Sequence, residues 1–181
     1  MSNEAPSAPP ARPLDDADLM AWVREHGVAA RLVVPGVPTP TVPTAAAALG
    51  VPVGAILKSL VFLVRGEPRL AIAAGEDRVR YPALAAAWGV TRRQVRMASP
   101  DEALAISGYP VGAMPPFGHQ CTLPALVDAR CAPAGRTVYA GGGSRTALLE
   151  LQTDELLRVL GTAVGFAVAD LTEPPAGGHH S

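Results

Sequence analysis

The stretch Gly54-Ala-Ile-Leu-Lys58-Ser-Leu-Val-Phe-Leu-Val64 decides the fold, because it contains the clearest strand in the chain. Leucine, valine and phenylalanine dominate the residues after Leu57, and such residues suit a pleated, half-buried surface. The alternation of side chains along a strand places Lys58 on one face with Leu60 and Phe62. We therefore expect an apolar strand that carries a lysine near its start.

The segments around this strand predict a sheet with helices packed on it. Residues 65–68 predict a turn and residues 69–74 an antiparallel partner, so that the two strands form a hairpin. Acidic residues before an apolar stripe predict a helix from about Asp15 to His26. Ser99-Pro100-Asp101-Glu102 predicts the start of another helix, and Thr153 the N-cap of a third. Strands and helices alternate irregularly, which predicts a mixed α/β (α+β) fold with a compact mixed sheet flanked by short helices.

The composition is that of one globular domain. The chain has 181 residues, of which 49% are hydrophobic and 17% charged. Residues 1–13 are rich in proline and alanine and predict a disordered leader, residues 14–171 a single domain, and residues 172–181 a flexible tail. The net charge of −1 gives no general signal for nucleic acid, so any such contact must be local. No apolar run approaches the roughly 18 residues of a membrane span and no export signal is visible, so we expect a cytoplasmic protein without a membrane partner.

Lys58 is the only lysine of the chain, beside fourteen arginines. An ammonium group inside an apolar strand is costly unless it has a partner. Lysine also offers a compact charge on a flexible stem, which the planar guanidinium of arginine does not. These properties favour a functional lysine. The structural alternative is a lysine at the end of a strand whose amino group reaches water.

A second stretch, Ser107-Gly-Tyr-Pro-Val-Gly-Ala-Met-Pro-Pro-Phe-Gly-His119, holds three glycines and three prolines. Glycine permits unusual backbone dihedral angles and proline forbids most of them, so the path of this loop is tightly fixed. Such a loop suits the aiming of backbone N–H or C=O groups at a ligand. A plain structural loop is the alternative.

A third stretch, Thr137-Val-Tyr-Ala-Gly-Gly-Gly-Ser-Arg145, ends in three glycines, a serine and an arginine. Gly142, Gly143 and Ser144 could present N–H groups to a phosphate. A hairpin turn explains the glycines about as well.

The three stretches together resemble a known family. Leu57-Lys58-Ser-Leu-Val61, Ser107-Gly-Tyr-x-Val-Gly-x-x-x-Pro116-Phe-Gly118 and Val138-Tyr-Ala-Gly-Gly-Gly143, in this order, resemble the YbaK-type aminoacyl-tRNA deacylases. That family includes the editing insertion domain of bacterial prolyl-tRNA synthetase. The resemblance spans roughly residues 41–170 and implies a barrel-like mixed sheet with a pocket for the aminoacyl end of a tRNA.

The resemblance also implies roles for individual residues. The lysine matching Lys58 is required for editing in the family and is expected to hold phosphate or ribose oxygens of the terminal adenosine. The loop matching residues 112–116 shapes the aminoacyl pocket and offers backbone groups to the ester. We therefore expect catalytic roles for Lys58, Gly112 and Pro116. Substrate contacts are expected from Gly108, Tyr109, Ala113, Met114, Asp128, Gly142, Gly143 and Ser144.

Several of these residues have structural alternatives. Asp128 could bind an amino group or a ribose hydroxyl, although an aspartate that caps a turn is the commoner case. Tyr109 could stack or donate a hydrogen bond, or be structural. His119 is expected to be an exposed loop histidine, and Cys121 an ordinary small apolar residue. Where the family often has two glycines this chain has Gly112 and an alanine, so the amino acid removed stays open.

The expected activity is that of a free-standing deacylase that hydrolyses the ester of mischarged tRNA. No Ser-His-Asp or Cys-His arrangement and no metal-ligand cluster is visible, so attack by water without a protein nucleophile, cofactor or metal is the simpler proposal. The expected partners are the acceptor end of an aminoacyl-tRNA and, as a second candidate, a synthetase. The alternative is a non-catalytic module of the same fold that binds aminoacyl-tRNA, a nucleotide or a synthetase. A local concentration of positive charge could contact acceptor-stem phosphates or simply face solvent: Arg78, Arg80, Arg92, Arg93 and Arg96.

Overall fold

The computed structural model describes residues 12–174, and these residues form five α-helices and ten strands. The predicted leader, apart from its last two residues, lies outside the described part of the chain. The elements are α1 (Asp16–Glu25), β1 (Ala30–Val33), α2 (Val42–Leu49), β2 (Leu57–Val64), β3 (Glu67–Ala74), β4 (Arg78–Val79), α3 (Tyr81–Ala87), β5 (Val95–Met97), α4 (Pro100–Ser107), β6 (Ala125–Asp128), β7 (Thr137–Gly141), β8 (Leu148–Gln152), α5 (Thr153–Leu160), β9 (Ala167–Ala169) and β10 (Thr172–Glu173).

The strands confirm the predicted mixed α/β fold. The main sheet has the order β5-β2-β3-β6-β9. β2 runs antiparallel to β3 and β5, whereas β6 runs parallel to β3 and β9. A second, antiparallel sheet has the order β1-β8-β7. The two sheets meet at a parallel bridge between Ile56, just before β2, and Tyr139 of β7.

The predicted hairpin is formed by β2 and β3, which pair along their full length from Leu57 opposite Ala74 to Val64 opposite Glu67. Arg65 and Gly66 both have positive φ, 54° and 86°. This backbone fits the two-residue turn whose twist matches that of the flanking strands. The turn is therefore shorter than the four residues that the sequence indicates.

The main sheet is buried on both faces, which explains the uninterrupted apolar run in β2. On one face, Val61 and Leu63 pack into the larger core cluster with residues of the second sheet and of α1 and α5. On the other face, Phe62 and Val64 form a smaller cluster with Leu84 of α3 and its neighbours. The predicted alternation along β2 is thus confirmed, with Lys58 on the side of Phe62.

Of the two predicted helix caps, the one at Ser99 is confirmed. Asp15 caps α1 and Ser99 caps α4, each in a capping box with the residue three positions later. The predicted cap at Thr153 is wrong. Thr153 is the first residue of α5, and its buried hydroxyl donates to the carbonyl of Pro133 at 2.7 Å.

The ordered structure extends beyond the predicted start of the tail. Thr172 and Glu173 form β10, which pairs with β4. The side chain of Thr172 is buried and donates to Asp128 at 2.5 Å. This internal partner holds a segment whose composition alone indicates a loose end. Among residues 12–174, no helix is long and apolar enough to cross a membrane.

Candidate functional site

A cleft of about 250 Å³ lies beside the start of β2, between the bridge to the second sheet and the point where β5 begins to pair. The bridge to β7 lies at Ile56, just before β2, and β2 pairs with β5 only from Phe62 onward. Between these points, one edge of β2 faces the cleft. The lining residues are 39–42, Ala45, 56–60, Val111, Gly112, Met114, Gly141 and Leu148.

Lys58 is half-buried at this cleft. Its Nζ donates to the backbone carbonyl of Asp77 at 2.5 Å. Burial lowers the pKa of Lys58, and the nearby carboxylates of Asp77 and Glu76 partly oppose that shift. The carboxylate of Asp77 is itself held by Arg130 at 2.5 Å. Lys58 is therefore fixed by a short chain of contacts, and two of the three ammonium protons have no partner among the described residues.

The loop of residues 108–119 brings Gly112 and Met114 to the cleft. Gly112 has φ of +89°, and a Cβ on it would lie 3.1 Å from the carbonyl oxygen of Pro40. A side chain at this position would thus strain the backbone and crowd the opposite wall of the cleft. Among the bonds of residues 12–174, none engages the N–H of Gly112 or of Met114.

The other expected loop residues do not line this cleft. Ala113 is fully buried, and its carbonyl accepts from the N–H of Gly143 at 2.9 Å. Gly108 ends α4 with φ of +86°, and a Cβ there would meet Leu14 at 2.6 Å. Tyr109 is fully buried and donates to the carbonyl of Gly118 at 3.3 Å, so burial raises the pKa of this phenol. These three residues shape and brace the loop. Pro116 lines a different cleft.

The triple glycine packs against the loop instead of forming an open cradle. A Cβ on Gly141 would lie 2.1 Å from the carbonyl oxygen of Met114, and one on Gly142 2.6 Å from the backbone of Ala147. A Cβ on Gly143 would lie 2.8 Å from the backbone of Asp15. Close approach of backbones therefore explains all three glycines. Of the triplet only Gly141 lines the cleft, and Ser144, whose hydroxyl pairs with that of Thr146, lies outside it.

Asp128 is fully buried at the end of β6 and lies outside the cleft. Its carboxylate accepts from the N–H of Leu171 at 3.0 Å and from the hydroxyl of Thr172. The structure therefore ties Asp128 to the last described strand. The turn-capping alternative is wrong, because the side chain makes no cap hydrogen bond to the turn that follows β6.

A larger cleft of about 360 Å³ lies on the other side of the loop and includes Pro116, His119 and Cys121. His119 is partly buried, in contrast to the exposed position expected for it. Burial lowers its pKa to about 4, although its ring nitrogen bonds the carbonyl of Pro115 at 2.8 Å. Trp22 stacks on His26 and Phe117 at the wall of this cleft.

Sequence reasoning missed three contributors to the smaller cleft. Ser59 follows Lys58 on the open edge of β2, Gly141 ends β7, and residues 39–42 form the opposite wall. The proline-rich composition of residues 35–43 indicates a loop but not where that loop folds back. For Gly141, the tandem glycines are a visible signal, but they suit a phosphate site and a hairpin turn equally.

Three of the five clustered arginines already interact with other residues of the protein. Arg96 binds Glu102 through two bonds of 2.7 Å. Arg92 lies 4.0 Å above the ring of Tyr81, and Arg80 contacts the carbonyl of Asp170. Arg78 and Arg93 are exposed.

Comparison with known proteins identifies the family. Residues 37–159 match the aminoacyl-tRNA editing domain, a segment that includes the whole of the smaller cleft. The chain belongs to this family, which confirms the resemblance seen in the sequence.

Individual relatives are similar to this chain over most of their own length. The uncharacterized protein YwhH of Bacillus subtilis (strain 168) is 32% identical over 117 residues, which cover 64% of this chain and 72% of YwhH. The crystal structure of hypothetical protein APE2540 is 33% identical, with a TM-score of 0.76 over 86% of this chain and 99% of the other. A crystal structure described as "a putative trans-editing enzyme for prolyl tRNA synthetase" is 31% identical, with a TM-score of 0.76 over 88% of this chain and 97% of the other.

Proposed function

We propose that this protein is an aminoacyl-tRNA deacylase that hydrolyses the ester bond of mischarged tRNA and acts in trans, apart from the synthetase. One observation carries the proposal. Lys58 and Gly112, from stretches more than fifty residues apart in the sequence, line one cleft within the segment that matches the editing domain. The solved relative described as "a putative trans-editing enzyme", of which this chain covers 97%, supports action in trans.

The cleft supplies the groups that hydrolysis of an ester requires. Attack of water on the ester carbonyl creates a negatively charged oxygen, which fixed donors stabilise. The ammonium of Lys58 and the unengaged N–H groups of Gly112 and Met114 are donors of this kind. We assign Lys58 to the oxygens of the terminal adenosine or of the ester, and the loop to the aminoacyl group.

Water is the nucleophile in this proposal. No histidine, cysteine, aspartate or glutamate is present among the described residues that line the cleft. Ser59 and the threonines there have no side-chain base beside them to activate a hydroxyl. Attack by water, oriented by the cleft and the bound substrate, needs no such base on the protein.

Deacylation of a panel of mischarged tRNAs tests the proposal: alanyl-, cysteinyl- and seryl-tRNAPro, and seryl- and alanyl-tRNAThr. We expect the wild type to release at least one amino acid, and Lys58→Ala to lower kcat/KM by about 100-fold or more, as loss of an oxyanion donor does. Lys58→Arg is the matched variant, because it keeps the charge but changes its shape, and we expect it to rescue little of the activity.

Two outcomes contradict the proposal. If the wild type binds these tRNAs and hydrolyses none, the protein is a binding module of the editing fold. If hydrolysis survives in Lys58→Ala while the variant remains folded by circular dichroism, Lys58 is not part of the catalytic site.

A further inference from the structure

Ser59 carries a buried polar group that the fold does not use. Its Oγ is inaccessible to solvent and has no hydrogen-bond partner among residues 12–174. Two other side-chain atoms share this state, Nε of Arg69 and Nε1 of Trp88, but neither residue lines a cleft with Lys58. A buried hydroxyl without a partner destabilises a protein, and alanine would fill the same place at no such cost.

The backbone of Ser59 faces the cleft. The carbonyl of Val61 accepts from the N–H of Ala98, so Val61 directs its backbone groups away from β3. Backbone direction alternates along an antiparallel strand, so Ser59, two residues earlier, directs its N–H and C=O to the same side. Neither β5 nor β7 pairs with β2 at Ser59. Ser59 is partly exposed although its Oγ is not, as expected when the exposed atoms are those of the main chain.

The cleft has no carboxylate among the described residues that line it. Every aminoacyl ester nevertheless brings an α-ammonium group, which needs acceptors when it leaves water. The hydroxyls of Thr39 and Thr41 already have partners inside the protein, the carbonyl of Arg145 and the side chain of Thr44. The carbonyl oxygen of Ser59 is an unengaged acceptor at the cleft, and its hydroxyl is the neighbouring side-chain group that lacks a partner.

We propose that the open edge of β2 at Ser59 binds the aminoacyl group of the substrate, with the carbonyl of Ser59 accepting from the α-ammonium group and its N–H donating to the acyl carbonyl. The hydroxyl of Ser59 is inaccessible in the empty cleft, so it becomes a second acceptor when its side chain rotates toward the bound ammonium group. Such an edge distinguishes an ester with a free α-amino group from an N-acylated one, as at the end of a peptidyl chain. This inference rests on the proposed function, since it concerns how the same site recognises its substrate.

Binding of two stable analogues tests the inference without relying on hydrolysis. The probes are an adenosine that carries the amino acid through a 3′-amide, and the same compound acetylated on its α-amino group. By calorimetry, we expect the free-amine analogue to bind the wild type at least about tenfold more tightly, the size of one hydrogen bond to a charged group. Equal affinities of the two analogues would overturn the inference, whatever the deacylation assay shows.

Two variants separate the contributions of Ser59. Ser59→Ala removes only the hydroxyl, so we expect the same or a higher melting temperature, together with weaker binding of the free-amine analogue. Ser59→Pro removes the N–H that faces away from β3, a position where an edge strand tolerates proline, and we expect a further loss of affinity. Thr137→Ala, which removes an exposed hydroxyl from β7, is the matched control with unchanged affinity.

The stability measurement excludes a purely structural role. If Ser59→Ala lowers the melting temperature clearly and leaves the preference for the free amine intact, the hydroxyl serves the fold and has no role in binding. A wild type that prefers the free-amine analogue but hydrolyses no mischarged tRNA would retain this inference and refute the deacylase.

Discussion

Gly141 lets β7 and the cleft loop approach so closely that no side chain fits between them. A Cβ on Gly141 would lie 2.1 Å from the carbonyl oxygen of Met114. This oxygen belongs to the backbone, so it cannot move aside as the end of a flexible side chain would. The position of the loop that carries Gly112 therefore depends on the absence of one methyl group.

We predict that Gly141→Ala destabilises the protein by about 1–3 kcal/mol, the usual range for overpacking, and lowers deacylation more than stability alone explains. Thermal unfolding and kcat/KM measure the two effects. Gly54→Ala is the matched control, because a Cβ there meets nothing within 4 Å and its φ is not positive. Equal behaviour of the two variants would show that the loop tolerates displacement.

His119 should titrate far below an ordinary histidine. Burial lowers its pKa to about 4 from a reference of 6.5. The folded state therefore binds fewer protons than the unfolded state between these values, and the stability contributed by neutral His119 is lost as pH falls from about 6.5 to 4. The expected loss is of the order of 2–3 kcal/mol.

The comparison of melting temperatures at pH 7 and pH 4.5 tests this prediction, with His119→Gln as the variant that cannot titrate. We expect the wild type to lose more stability than His119→Gln over this interval. An NMR titration that places the His119 pKa near 6.5 would contradict the burial of its ring.

Lys58 is a residue of the candidate site that could be predicted from the sequence alone. Its singularity and its place in an apolar strand predict a functional site, because an unpartnered charge is costly there. The sequence does not show that the N–H and C=O of Ser59 face the cleft, since this depends on where the pairing of β2 with β5 and the bridge to β7 end. Asp128 looks functional in the sequence because its internal partner, Thr172, lies 44 residues away. The partner of Tyr109 is Gly118 of the same loop.

The start of helix α4 is stabilised by a carboxylate, Glu102, that becomes protonated in acid. Glu102 accepts from the N–H of Ser99 at 2.9 Å and from Arg96. Both contacts favour the carboxylate, and they lower the pKa of Glu102 to about 2. Because the folded pKa lies below the unfolded value of 4.5, the stability that Glu102 contributes is present above pH 4.5 and is lost as pH falls toward 2.

We predict that Glu102→Gln flattens the fall in melting temperature between pH 4.5 and 2.5, while its amide preserves the capping box. Glu67→Gln controls for the loss of one negative charge, because Glu67 is exposed and its nearest contact with Arg69 is 3.5 Å long. Parallel acid profiles of wild type and Glu102→Gln would show that the cap contributes nothing in solution.

Elements with local signals were predictable and those with distant partners were not. The hairpin of β2 and β3 and the cap of α4 rest on contacts within a few residues, and the structure has them as expected. The parallel pairing of β6 with β3 and β9 joins segments far apart in the chain. No local pattern specifies such a pairing, so the order of the sheet could not be derived from the sequence.

Across the whole molecule, charge offers little general attraction for tRNA. The net charge is −1, and several arginines of the candidate patch already have internal partners. Arg78 and Arg93 are exposed, and no ion pair to either is found within residues 12–174. Arg78 also follows Asp77, whose carbonyl holds Lys58, so its position suits a phosphate near the acceptor end.

We therefore predict that tRNA affinity falls with rising salt, and that Arg78→Ala reduces the slope of log Kd against log salt concentration by about one, as expected for one lost phosphate contact. Arg93→Ala reports whether the contact extends along the patch. Arg31→Ala is the control, since Arg31 is an exposed arginine paired with Glu150 on the second sheet. A slope that Arg78→Ala leaves unchanged would remove this residue from the interface, and an affinity independent of salt would remove the patch altogether. The aminoacyl end alone would then have to carry recognition of the substrate.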